Sequence, residues 1–137
     1  MVDPNVIRRR LQKPGEYLDI LRETQQYSRS EFVDDPHLYG SAERFLQLSI
    51  EAINDVASHV VVDENLGAAE RAQDLPHIFE SEGLIGEELR DQWADMIGFR
   101  NVLVHDYIGI DRTIVHDAIQ NRLGEIERLR SVFARYL

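Results

Sequence analysis

The clearest pattern in the chain follows Asp34, Asp35 and Pro36, where Ala42, Leu46, Ser49, Ile53, Val56 and Val60 recur at alternating three- and four-residue intervals. Phe45, Ile50 and Ala57 flank this stripe. Aspartate before proline is a helix start, because a carboxylate caps free amide groups and proline fits the first turn without a hydrogen to donate. The stripe is wide for a single neighbour, so it predicts a helix buried in a bundle core and extending toward a dimer seam.

A second helical pattern runs from Gly86 to Tyr107 and carries a charge where an apolar residue belongs. At about 100° per residue, Trp93, Met96, Ile97, Leu103, Val104 and Tyr107 all fall within about 60° of Arg100. A guanidinium on that face is expensive to desolvate and cannot shed its charge, so it demands a hydrogen-bonded partner. His105 lies about 140° further round and reaches the same place only from the stripe's edge or from a loosened last turn. Gly109 is placed to end the helix near His105 to Tyr107, where the macrodipole mildly favours a cationic imidazole.

The other elements follow the same logic. Val6, Ile7 and Leu11 begin a pattern that Pro14-Gly15 interrupts, and Tyr17, Leu18, Leu21 and Tyr27 resume it, predicting one kinked helix or two short ones. Between Asp63 and Asp74 the pattern weakens into a helix end, with Gly67 as the expected cap, and a polar connection. Leu75 to Glu82 reads as a short helix with Pro76 in its first turn and Gly83 as its stop. From Asp111 a single last helix is expected to reach the end, with Ile114, Val115, Ala118, Ile119, Leu123, Ile126, Leu129, Val132, Phe133 and Tyr136 on its stripe. No stretch alternates at period two long enough for a sheet. The expected fold is all-α, an up-and-down bundle of four or five helices forming one domain over residues 1–137, and dimeric.

Composition narrows the function. Twenty-five acidic residues stand against 15 basic ones, giving a net charge of -10, and Lys13 is the only lysine. A protein that coats nucleic acid is basic, so any RNA contact here must be a local pocket working against a repulsive field. The absence of cysteine excludes disulfides, thiol nucleophiles and cysteine-held metals. His37, His59, His77 and His116 are isolated from second ligands at metal spacing, so neither a metal nor a cofactor is assigned. With no apolar run of membrane-spanning length, a soluble cytoplasmic protein is expected. Arg8, Arg9 and Arg10 form the densest basic cluster, read as a solvated helix face.

The string GFRNVLVHDY resembles the R-x4-H-x-Y signature of the HepT-type proteins of the HEPN superfamily, the toxin half of HepT/MntA toxin-antitoxin pairs. Arg100, His105 and Tyr107 match it position for position, and Asn101 follows the arginine as it commonly does there. Gly40 to Val62 and Leu75 to Ile85 resemble that family's long second and short third helices. The resemblance implies a metal-independent endoribonuclease acting on RNA, with Arg100 gripping the scissile phosphate and His105 exchanging protons with a ribose hydroxyl or leaving oxygen. It also implies a homodimer with a composite cleft, and a nucleotidyltransferase antitoxin of MntA type that neutralises the toxin by adenylylating Tyr107. The alternative is a non-catalytic helical protein that binds a nucleotide or docks a nucleotidyltransferase, a role the acidic surface also fits. On the long helix, Glu43, Arg44, Gln47 and Glu51 form a polar row at helical spacing. The row either makes surface pairs or supplies, through one of its glutamates or Gln47, the group that orients Arg100, with Asn101, Glu43 and Gln47 taken as the supporting residues.

Overall fold

A computed structural model describes residues 2–105 and 109–136. Among these residues seven α-helices and one 3-10 turn are formed, so the expected class is right and the expected helix number is too low.

Helix α1 spans Pro4–Thr24, with the Asp3 carboxylate accepting from the Asn5 amide at 2.9 Å. It is one helix despite Pro14, and the Pro14-Gly15 pair has a packing role. Arg130 of the last helix donates from Nε to the Leu11 carbonyl at 3.2 Å, and a Cβ on Gly15 would lie 2.6 Å from Arg130 Nη2. The glycine thus leaves room for an arginine that supports the backbone beside the proline.

A short helix not anticipated from periodicity, α2 (Arg29–Asp34), opens with a capping box between Ser28 and Glu31 and buries Phe32. Helix α3 (Pro36–Asp63) starts where the aspartate-proline signal places it, with Asp35 accepting from the His37 amide. Its end is not made by Gly67. Asn65 takes the left-handed conformation at φ 53°, and the Asn65 and Leu66 amides return to the Val62 and Val61 carbonyls at 3.2 and 3.0 Å. Asparagine tolerates that conformation because its short polar side chain hydrogen-bonds locally, so the helix stops before the glycine is reached.

The 3-10 turn Ala72–Asp74 leads into α4 (Leu75–Ser81), which Gly83 closes at φ 72° as expected. Helix α5 spans Glu87–His105, with two glutamates in its first turn and a histidine in its last, both matched to the macrodipole. The expected last helix is two: α6 (Arg112–Asn121), capped by Asp111, and α7 (Leu123–Ala134). Arg122 leaves the helical region at φ -120°, ψ 2°, and its guanidinium is clamped to the Glu125 carboxylate by bonds of 2.6 and 2.7 Å. The apolar spacing runs across this bend without a gap, which is why periodicity cannot reveal it. The bend also turns Ile114 outward, 56% exposed, although it lies on the expected stripe.

Helices α1 and α3 pack along each other, and α5 packs against α3, α4 and α7. Trp93 donates from Nε1 to Asn54 Oδ1 at 2.9 Å and Arg100 reaches Glu51, so α5 runs antiparallel to α3. Beneath this contact Phe79, Trp93 and Phe133 form an aromatic cluster with ring centroids 5.4, 5.4 and 6.1 Å apart, joining α4, α5 and α7. All three are fully buried, each contributing about 1.5–3 kcal/mol from burial. No helix among the described residues is long and apolar enough to cross a membrane.

Trp93→Ala is expected to lower unfolding stability by about 3–5 kcal/mol in urea, and Trp93→Phe by less, since the ring contacts survive and chiefly the bond to Asn54 is lost. Urea midpoints that match the unsubstituted protein for Trp93→Ala would contradict this account of the core.

Candidate active site

Helix α5 is amphipathic for a single purpose on each side. Trp93, Met96, Ile97 and Leu103 are buried, as the wheel places them, and anchor the helix to the core. Arg100 sits among them in sequence phase but is not enclosed: its side chain is 29% exposed. A long aliphatic stem lies along the apolar surface and carries the guanidinium to the edge of the α3 and α5 contact.

There it meets Glu51. Arg100 donates to Glu51 Oε1 from Nε at 2.9 Å and from Nη2 at 2.5 Å, and Nη1 donates to Asn101 Oδ1 at 3.2 Å. Gln47, one turn before Glu51, donates from Nε2 to the same Oε1 at 3.1 Å. Of five guanidinium hydrogens, three are therefore committed, and one on each terminal nitrogen has no acceptor among the described residues. Burial alone would raise the Glu51 carboxyl, but the hydrogen bonds from Gln47 and Arg100 and the charges of Arg100 and Arg44 outweigh it and hold the group below its usual value. Glu51 is thus a carboxylate at neutral pH, fixed by two donors from two directions.

Arg100, Asn101, Glu51, Asn54, Ile97, Ala72 and Gln73 line an open depression of about 350 Å³ between α3, α5 and the 3-10 turn. The free hydrogens of Arg100 belong to a group on the wall of this depression. An anion can approach the end of the guanidinium while Glu51 keeps its side edge, which is the division of labour a positioned phosphate ligand needs.

His105 is the last residue of α5 and is exposed, making no hydrogen bond or ion pair with another described residue. Tyr107, the third member of the motif, lies outside the described residues. Asn101 and Gln47 stand where they support Arg100, one directly and one through Glu51. Glu43 does not. It sits two turns before Glu51 on α3, and its Oε1 faces Arg112 Nε at 3.7 Å instead. The antiparallel crossing explains the difference: moving toward the α3 N-terminus means moving past the end of α5, so Glu43 meets the start of α6 rather than Arg100. Burial pushes the Glu43 carboxyl up, and the charge of Arg112 opposes that rise.

Glu51 was present in the polar row but not separable from its neighbours by spacing alone; the alignment of Asn54 with Trp93 selects it. Arg112, Asn54 and Gln73 carried no sequence signal, because each acquires its role from tertiary contacts.

Comparison with known proteins gives concordant matches. The family model described as ribonuclease HepT-like matches residues 15–132. The mRNA nuclease HepT of Shewanella oneidensis is 32% identical over 103 residues, covering 75% of this chain and 77% of that protein. The tRNA nuclease HepT of Aphanizomenon flos-aquae is 30% identical over 124 residues, 90% of this chain and 84% of its own. Among solved structures, the tri-AMPylated Shewanella oneidensis HEPN toxin in complex with MNT antitoxin superposes with a TM-score of 0.85 at 27% identity, covering 96% of this chain and 97% of that one. With the family model spanning most of the chain and relatives matched over most of their length, the protein belongs to the ribonuclease HepT-like family.

Proposed function

We propose that this chain is the toxin of a HEPN/MNT toxin-antitoxin pair, a metal-independent endoribonuclease of the cytoplasm neutralised by adenylylation of Tyr107. The observation that carries the reading is the Arg100 guanidinium, locked along one edge by Glu51 and open at its end toward a depression, five residues before an exposed imidazole. The names of the relatives, an mRNA nuclease and a tRNA nuclease, support RNA as the substrate class.

In this mechanism Arg100 binds the scissile phosphate through its terminal nitrogens and offsets the charge that builds on the non-bridging oxygens. The adjacent ribose 2′-hydroxyl attacks phosphorus, its proton passes to a base, and the 5′ oxygen leaves with a proton, giving a cyclic phosphate. His105 serves in this proton exchange, since an imidazole exchanges protons near neutral pH. Glu51, Gln47 and Asn101 are positioning residues that fix the guanidinium plane.

One motif per chain fits a symmetric homodimer whose two sites share a cleft. Val102 and Ile114, 45% and 56% exposed, flank the end of α5 and offer apolar surface for such a seam. Tyr107 stands two residues past His105, so an AMP placed there would bring bulk and phosphate charge to the region where substrate phosphate sits. The tri-AMPylated relative supports this mode of control.

Arg100→Ala and His105→Ala are each expected to abolish cleavage of RNA by the purified protein while circular dichroism stays unchanged. Arg100→Lys also fails, because an ammonium has no planar fork; Glu51→Gln leaves a reduced rate. A fully active His105→Ala would remove it from the chemistry, whereas unsubstituted protein that cleaves no RNA would leave a docking role for the chain. The Glu51 carboxylate, with its folded titration lowered, stabilises the protein above the usual glutamate value of 4.5 and loses that contribution as pH falls through its folded pKa. The stability difference between Glu51→Gln and the parent therefore narrows in acid.

Light scattering at micromolar concentration is expected to give twice the chain mass, and a monomer would sink the shared cleft. Co-expression with the cognate nucleotidyltransferase is expected to add AMP mass on Tyr107 and silence cleavage, with Tyr107→Phe still active and insensitive to the partner. An adduct on another residue, or silencing with no mass change, would place control elsewhere.

A further inference from the structure

We propose that Arg112 forms a second phosphate subsite, gripping a backbone phosphate of the RNA strand beyond the one held by Arg100. The inference rests on the ribonuclease reading above and deepens it by naming how the strand is held.

Arg112 is the first residue of α6, and its guanidinium carbon lies 4.0 Å from the centroid of the Tyr39 ring. The ring supports the cation from one face, and Glu43 stands beside it as an ion-pair partner without a hydrogen bond. Arg112 Nε and Glu43 Oε1 are both shielded from solvent, face each other at 3.7 Å, and make no hydrogen bond to each other or to anything else described. Its terminal nitrogens likewise have no acceptor among the described residues. Two turns along α3 from Glu43, by contrast, Arg100 closes on Glu51 at 2.5 Å. A pair built only to hold α6 against α3 would close in the same way, because a shielded ion pair without hydrogen bonds recovers little of its desolvation cost.

The placement fits a strand. Glu43, Gln47 and Glu51 follow one another at single-turn intervals, so the positions that receive Arg112 and Arg100 are separated by about 12 Å along α3. Helix α5 runs antiparallel, carrying the chain from Arg100 toward the Glu43 end, and its last residue, His105, lies between Arg100 and Arg112 in chain order. Two cations spaced along one helix are what an extended phosphodiester backbone meets in turn. A molecule of net charge -10 repels RNA everywhere else, so local cations of this kind decide whether the strand is held. Glu43 competes with phosphate for Arg112 and sets the strength of the subsite.

The test is steady-state cleavage of a single-stranded RNA oligomer by the full chain across a range of salt. Arg112→Gln is expected to raise KM by about five- to tenfold, with kcat changed much less, and to lower the slope of log affinity against log salt by about 0.7. The KM effect holds for strands that reach past the scissile phosphate and is lost on a dinucleotide. Glu43→Gln acts in the opposite direction, lowering KM, because it removes the competing carboxylate. A merely structural pair would make both substitutions weaken the protein in the same sense. An Arg112→Gln protein with unchanged KM and salt slope on the long strand overturns the subsite, and so does a Glu43→Gln protein whose KM rises. Where Arg112→Gln does not fold, Glu43→Gln alone decides. Undiminished cleavage by Arg100→Ala would instead overturn the ribonuclease reading beneath it, a separate failure with a separate signature.

Discussion

Everything that can happen at this site depends on one ion pair, in which Arg100 donates twice to a single oxygen of Glu51. A guanidinium in the apolar phase of a helix is tolerable only if its charge is matched and its donors are used. Glu51 does both on one edge, and Gln47 keeps Glu51 from turning away. What remains of Arg100 is a pair of hydrogens that no atom of the described residues answers. The pair therefore stabilises the contact between α3 and α5 and at the same time creates the unsatisfied valence that an anion can fill.

That coupling explains the architecture around it. Helix α5 must be placed to within a fraction of an ångström for the two arginine bonds to Glu51 to form, and the placement comes from below, through Trp93 on Asn54 and through the rings of Phe79 and Phe133. The core and the site are opposite sides of the same helix. A substitution that loosens the aromatic cluster loosens the guanidinium as well, since Arg100 lies about two turns from Trp93 on the same helix.

How much of this was legible beforehand depends on the range of the interaction. The charge in the stripe at Arg100, the aspartate-proline start of α3 and the glycine stop of α4 are local signals, and the chain alone reveals them. The family resemblance adds the pairing of Arg100 with His105, which no helical wheel brings together. The choice of Glu51 over Glu43 is different, because it is set by the crossing of two helices whose register no short window contains. The bend at Arg122 escapes for a related reason: it is made by a guanidinium folding back on Glu125 while the apolar spacing continues undisturbed. Asn65 shows the limit of the glycine rule, since an asparagine two residues earlier meets the same conformational demand.

The position of His105 at the last residue of α5 has a consequence for how such a protein can be governed. The final carbonyls of a helix have no amide of their own to bind, so the end of α5 offers attachment points that the interior, where Arg100 lies, does not. One half of the proposed catalytic pair is thus built into the scaffold and the other stands at its margin. A regulator needs to address only the margin: it can cover or redirect the imidazole while every buried contact stays as it was. Inactivation and unfolding become separable events, and a silenced molecule remains a folded one that can be released intact.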